Sequence, residues 1–366
     1  MIFSVRVDAS TVIGHGHVMR CLALADALRA NGAICHFISR QHPGNLIDQI
    51  RSRGYLVFAL DRLEAQAEQM GQEGYSNWLG ATPNQEILGS LTHLEKIRPD
   101  WVIVDHYSLD IRWESEIRSL IGSKIMVIDD LAEKSHDANL LLNPNLGCLE
   151  SDYINLVPSN CQILAGPRYA LIRPEFATLR HASLQRRRTS SRSVQILVSM
   201  GGTDGGNATA AVLAALNTYS FPRDAFITVV MGPGAPWLTQ VSAQAKTMRW
   251  PTKVLTEVEN MAEVMLHSDL AIGGIGGTAW ERCCLGLPTI GLILAPNQAP
   301  GARALEAAGG IELLKSVDCI SSALLEALQR VFENEDRLSI LSSMASRVLD
   351  GQGIGRVLTL LGDIGG

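Results

Sequence analysis

The residues best suited to chemistry stand near the start of the chain: Asp8, Ser10, Gly14, His15, Gly16, His17 and Arg20. They follow a short apolar run, Ile2–Val7, that reads as a strand. They lead into His17–Ala30, where Val18, Cys21, Leu22, Ala25 and Leu28 recur at helical offsets. Such a junction lies at the carboxyl edge of a parallel sheet, where open α/β proteins bind their ligands. Gly14 and Gly16 permit a tight turn and close backbone approach, and the helix start offers unpaired N–H groups to an anion. The glycine spacing is not the six-residue dinucleotide fingerprint, and no acidic residue closes a second strand in the required place, so a NAD site is not expected. His15 reads as a turn and cap residue. His17, at the helix entrance beside the glycines, reads as functional.

A second cluster is Gly273-Gly274-Ile275-Gly276-Gly277-Thr278, running into Ala279-Trp280-Glu281. A strand, a glycine-rich turn and a helix with Thr278 near its cap make a seat for a diphosphate. The helix end carries about half a positive charge and several free donors, so the seat works without magnesium. Glu281, about one turn into the helix, can accept hydrogen bonds from two ribose hydroxyls.

Short apolar runs alternating with amphipathic stretches must position these clusters. Ala33–Ile38, Tyr55–Phe58, Trp101–Val104 and Lys124–Ile128 read as buried strands, with helices at Pro83–Ile97 and Ile111–Leu120. That order implies parallel pairing with crossovers. His181–Ser193 has almost no apolar residues and reads as a linker; its Arg186, Arg187 and Arg188 read as solvated. Alternation resumes at Val194–Ser199. The expectation is two doubly wound α/β domains: 1–180 with the histidine loop, a linker at 181–193, and 194–366 with the second glycine cluster and a helical tail.

Composition narrows the function classes. The 366 residues carry 31 Lys+Arg against 37 Asp+Glu, a net charge of −6, which argues against coating nucleic acid. Hydrophobic residues at 46% suit a well-cored globular protein rather than a disordered one. The seven cysteines include no pair at metal or redox spacing and read as buried thiols in a reducing compartment. No apolar run approaches the ~20 residues of a membrane span, so a cytoplasmic location is expected.

Seven segments then carry a family resemblance: RVDAS with IGHGHVMRCLALA, VDHYSLD, IDDLAEKSHDANLLLNPNLG, GPRYALIRPEF, VSMGGTD, GGIGGTAWE and DGQGIGRV. Together they resemble the UDP-sugar hydrolases of pseudaminic acid biosynthesis, GT-B-like nucleotide-sugar enzymes distantly similar to the peptidoglycan N-acetylglucosaminyltransferase. The resemblance runs over almost the whole chain. It implies a GT-B-like fold, with two Rossmann-type domains and an interdomain cleft, and UDP on the C-terminal domain. It implies release of UDP from UDP-2,4-diacetamido-2,4,6-trideoxy-β-L-altrose by C–O cleavage with inversion at the anomeric carbon. The matching catalytic histidine is His17. Arg173, Glu281 and Asn297 fall on substrate-contacting positions of the family. Asp8, Gly14, Gly16, Arg20 and Tyr107 complete the expected substrate contacts on the first domain, and Gly276, Gly277, Thr278 and Gln298 on the second.

One histidine suffices for that reaction. An ordinary glycoside needs two carboxyl groups because its alkoxide must be protonated. UDP leaves as a stabilised anion, so only the attacking water needs a base, and neutral imidazole suits the task. No metal or other cofactor is then expected. Adjacent Asp129 and Asp130 at a strand end point apart, which favours substrate contact or loop bracing over metal binding. The expected partners are a UDP-sugar and UDP, with no nucleic acid and no membrane, and the expected state is a monomer. Two alternatives are a GT-B glycosyltransferase using a UDP-sugar donor and a non-catalytic nucleotide-sugar-binding protein.

Overall fold

The computed structural model describes residues 1–63, 75–188, 193–314, 319–334 and 336–363. The chain divides into two units. The first comprises Met1–Leu171 with Ile354–Gly366, and the second Ile172–Gly353.

The first unit is a seven-stranded parallel sheet: β1 (Ile2–Val7), β2 (Ile34–Arg40), β3 (Leu56–Leu60), β4 (Trp101–Asp105), β5 (Lys124–Ile128), β6 (Leu140–Asn143) and β7 (Gln162–Ala165). Their order across the sheet is β3-β2-β1-β4-β5-β6-β7. Strands covered on both faces read as unbroken apolar runs, and all five residues of β4 are buried. Helix Gly16–Ala30 follows β1, packing Val18, Leu22, Ala25 and Leu28 into the core. Helix Pro83–Ile97 starts on a capping box in which Thr82 and Gln85 bond each other's backbone, with proline in the first turn.

The second unit repeats the plan with β8 (Val194–Ser199), β9 (Ala225–Val230), β10 (Thr252–Leu255), β11 (Leu270–Gly274), β12 (Thr289–Leu292) and β13 (Glu312–Leu313). All are parallel in the order β10-β9-β8-β11-β12-β13. In both sheets the order reverses beside the first strand, between β1 and β4 and between β8 and β11. That reversal opens a crevice at the carboxyl ends of the strands.

Two boundaries differ from the sequence expectation. Residues 181–186 are not linker but the end of helix Pro174–Arg186, which begins the second unit. Polar anchors hold this helix where apolar ones are sparse. Arg180 donates to the carbonyls of Cys284 and Ser346, Ser183 to that of Leu285, and Arg187 to those of Met265, Ser268 and Leu285. Arg187 is therefore a carbonyl clamp rather than a solvated charge, and burial pulls its pKa down to about 9. Residues 189–192 of the expected linker lie outside the described residues. The second difference is the C-terminal helix, Gly353–Asp363, which was expected with the second domain. Its Val357 and Leu361 are buried in the core of the first.

All seven cysteines are free; Cys21, Cys35, Cys283 and Cys284 are buried, Cys148 and Cys161 half-buried, and Cys319 exposed. Among the described residues no helix is long and apolar enough to cross a membrane.

Candidate functional site

The first crevice is built on the loop after β1. Ser10 Oγ accepts from the N–H groups of Val12 and Ile13, and Gly14 N donates to the Ser10 carbonyl, closing a turn with Gly14 at φ +82°. His15 takes the cap position but makes no side-chain cap bond. A Cβ on Gly14 or Gly16 would meet nothing within 4 Å, so the loop backbone is open to approach.

His17 lies in the first turn of the helix, and its Nδ1 is 2.7 Å from Oδ1 of Asp105, the last residue of β4. A carboxylate accepts only, so Nδ1 carries the proton and Nε2 is left as the basic nitrogen. Arg20, one turn on, donates from Nε to Asp105 Oδ2 at 2.6 Å and from Nη2 to Oδ1 at 2.7 Å. Burial alone would raise the Asp105 carboxyl, but the Arg20 guanidinium and then His17 outweigh it and hold it far below the usual carboxylate range. Arg20 also donates to both oxygens of Asp130, which accepts from Tyr107 Oη at 2.6 Å and from Asn145 at 2.8 Å. Asp129 points elsewhere and braces its loop, accepting from Leu131 N, Ala132 N and Tyr153 Oη.

Two aromatic rings pack against the imidazole, and a third backs them. Tyr107 and Trp78 meet it edge-on with centroids 4.8 and 5.9 Å away, and they stack on each other at 5.1 Å. Tyr75 packs edge-on against both. Sequence reasoning missed Asp105, Trp78 and Tyr75. An aspartate ending the apolar run Trp101–Val104 was the available signal for the first. The aromatics left none, because their approach to His17 depends on tertiary packing.

Asp8 departs from its expected role. Its side chain is buried, bonded to Arg6 at 2.6 and 2.9 Å and to Arg40 N at 2.7 Å, with His106 Nε2 3.2 Å away. Glu86 completes the cluster by accepting from Arg6 and Arg40. With no free oxygen facing outward, Asp8 fixes the root of the histidine loop rather than meeting a ligand.

The second crevice lies at the end of β11. Its glycines divide into two kinds. A Cβ on Gly273 would meet the Ser199 carbonyl at 2.4 Å, and one on Gly274 would meet Leu294 at 2.8 Å, so both serve close packing. Gly277 faces open space, and the nearest group to Gly276 is the Gln298 side chain at 3.6 Å. Helix Gly277–Cys284 begins at Gly276 with no side-chain cap; Ala279 N donates to the Gly276 carbonyl, and no side chain among the described residues meets the N–H groups of Gly277 and half-buried Thr278. Gln298 Oε1 accepts from Leu294 N, which fixes the short turn Pro296–Gln298 carrying half-buried Asn297.

Glu281 is buried in this helix. Its Oε1 accepts from Arg173 at 3.2 Å, while Oε2 has no partner. Burial raises its pKa despite Arg173. Arg173 also bonds Glu175 and lies over the Phe176 ring. The structure thus assembles His17, Arg20 and Tyr107 in the first unit. In the second it places Arg173 against Glu281, and Gln298 beside the open glycines.

No family model matches the chain. Among curated proteins it is 26% identical to an uncharacterised protein of Methanocaldococcus jannaschii, over 79% of this chain but only 55% of that one. The chain therefore spans about half the length of that relative. It is 27% identical to the UDP-2,4-diacetamido-2,4,6-trideoxy-beta-L-altropyranose hydrolase of Campylobacter jejuni, over 73% of this chain and 82% of that protein. It is 24% identical to the spore coat polysaccharide biosynthesis protein SpsG of Bacillus subtilis, over 75% and 79%. Among solved structures, MurG of Acinetobacter baumannii aligns over 99% of both chains with a TM-score of 0.68 at 15% identity. The spinosyn rhamnosyltransferase SpnG aligns over 97% and 99% with 0.63 at 16%. The fold is GT-B-like. Two parallel sheets with helices, each carrying a crevice at its reversal point, are the fold-level content of that likeness.

Proposed function

We propose that this protein is a metal-independent hydrolase that releases UDP from a UDP-linked 2,4-diacetamido-2,4,6-trideoxy sugar of β-L-altro configuration. The observation that carries this reading is the His17–Asp105 pair: a proton held on Nδ1 leaves Nε2 free to take one from water. The water oxygen bonds to the anomeric carbon as the bond from that carbon to the phosphate oxygen breaks. The electron pair leaves with UDP, the water proton goes to Nε2, and a single displacement inverts the centre.

Gly276, Gly277 and Thr278 take the diphosphate, since free helix-start donors stabilise the charge that develops on the leaving group. Glu281 Oε2 accepts from the ribose, with Arg173, Asn297 and Gln298 around the nucleotide. Gly14, Gly16, Arg20 and Tyr107 serve the sugar side. The stacked Trp78 and Tyr107 suit a deoxy sugar whose methyl and acetyl groups present apolar surface. The name carried by the Campylobacter relative supports the same substrate.

The test is turnover of that UDP-sugar in ¹⁸O-labelled water without any acceptor. Release of UDP with label in the sugar and none in the phosphate is expected. Label in UDP would exclude anomeric attack. Release that requires an added sugar acceptor would make the protein a glycosyltransferase, and binding without release a nucleotide-sugar-binding protein.

A further inference from the structure

Arg282 carries a charge that no direct ion pair meets among the described residues; its chain neighbour Glu281 acts on it only through space. Its side chain is 1% exposed, in helix Gly277–Cys284 directly after Glu281. Its Nη2 donates to the Gly274 carbonyl at 2.7 Å, its Nη1 reaches Thr278 Oγ1 only at 3.5 Å, and its Nε has no partner. Among the described residues no carboxylate pairs with it; the neighbouring Glu281 turns to Arg173 instead. The other buried arginines are answered: Arg6 pairs with Asp8 and Glu86, and Arg40 with Glu86.

A guanidinium buried without a directly paired counter-ion is costly to desolvate. Burial pulls the Arg282 pKa down to about 10, which still leaves it charged at neutral pH. Its location suggests what the charge is for. Nη1 lies 2.9 Å from where a Cβ on Gly273 would sit, so the cation presses on the turn from within. On the outer side, Gly277 faces open space and the helix start is uncapped. The turn is thus positive on its buried side and open on the other.

We propose that the missing counter-charge is the ligand's diphosphate: Arg282 acts through the Gly274–Thr278 turn, without touching the ligand, to favour a diphosphate over a singly phosphorylated or neutral nucleoside. This inference rests on the nucleotide binding at this turn, as proposed above.

Calorimetry of UDP, UMP and uridine with the full chain, with Arg282→Gln and with Arg282→Lys tests it. Gln keeps a donor for the Gly274 carbonyl and removes the charge; Lys keeps the charge. UDP affinity is expected to fall at least about tenfold in Arg282→Gln, UMP affinity to fall less, and uridine affinity to hold, with Arg282→Lys retaining most of the UDP preference. Equal losses for all three ligands, or unchanged UDP affinity in Arg282→Gln, would overturn the inference and make Arg282 a structural rivet. If Arg282→Gln does not fold, Arg282→Lys decides alone, by keeping or losing the preference for UDP over uridine. An unsubstituted protein that binds no UDP would instead overturn the nucleotide site itself, and this inference with it.

Discussion

His17 Nδ1 and Asp105 Oδ1 stand 2.7 Å apart, although 88 residues separate them in sequence. The helix after β1 and the end of β4 become neighbours only because β1 and β4 pair in parallel, with Val7 opposite Asp105. A strand-end carboxylate therefore selects the tautomer of a helix-start imidazole, the arrangement in which a buried acid orients a general base.

Replacing His17 by Asn is expected to lower turnover of the UDP-sugar by at least about 10²-fold while UDP affinity changes little. Asp105→Asn should cost a similar factor, because an amide can leave the proton on Nε2. The double variant should be little worse than either single one, since the two residues act as a unit. Additive losses in steady-state kinetics would separate their roles.

Arg20 is expected to govern how the first unit responds to acid. A carboxyl depressed on folding contributes stability that is present above its unfolded value, about 3.9. That contribution is lost as pH falls through the folded value. Asp105, held far below the usual range chiefly by Arg20, should resist acid until well under pH 4. In Arg20→Met the carboxyl loses its strongest partner and its folded value rises toward the unfolded one, so the melting temperature at neutral pH should be lower and its fall below about pH 4 smaller than in the native protein. Superimposable pH profiles for the two proteins would show that the pair carries no linkage.

Glu281→Ala should weaken UDP binding by about 1.5–3 kcal/mol for each ribose hydrogen bond lost to a charged acceptor. Because the substitution also releases Arg173, Glu281→Gln is the sharper comparison. It should bind UDP more weakly than the native protein but more tightly than the alanine variant. Unchanged affinity by calorimetry in both would leave Glu281 as a partner of Arg173 alone.

If the start of helix Gly277–Cys284 meets the diphosphate charge as proposed, turnover should survive EDTA and gain nothing from added magnesium. Activity abolished by chelation and restored by magnesium or manganese would place the charge neutralisation on a metal.

Trp78→Ala should raise KM for the diacetamido sugar nucleotide several-fold, with a smaller effect on a UDP-hexose bearing only hydroxyl groups. A ring that stacks on Tyr107 beside His17 contributes apolar contact, not proton transfer. Steady-state kinetics on the two substrates would expose an equal change in both, contrary to this view.

Much of this architecture was readable from apolar runs. Ile2–Val7, Lys124–Ile128 and Val194–Ser199 match their strands end for end, because a buried parallel strand leaves a mostly apolar run, interrupted here only by Ser4, Arg6, Lys124, Gln195 and Ser199. Pro83–Ile97 matched equally well, since its proline and capping box are local signals. The short strands β6 and β7 were not recognised among the polar and proline residues of 129–168. The end of polar helix Pro174–Arg186 reads as linker in sequence because its contacts are arginines on carbonyls, which leave no apolar period. Of the candidate site, His17, Arg20 and the open glycines announced themselves at strand-to-helix junctions. Asp105 and Trp78 did not, since their approach to the imidazole is set by strand pairing and ring packing. Asp8 looked equally available in sequence; only the buried Arg6 beneath it turns it inward.

The helix Gly353–Asp363 also imposes an order on biogenesis. Ribosomal synthesis delivers residues 172–353 before this helix emerges, yet Val357 and Leu361 fill the core of the unit begun at residue 1. Each fully buried side chain of this size is worth about 1.5–3 kcal/mol. The first unit's core therefore lacks these two side chains while the second unit is being made. Chains usually mature from the N-terminus onward; here the core of the first unit can be completed only after all of Ile172–Gly353 has been made.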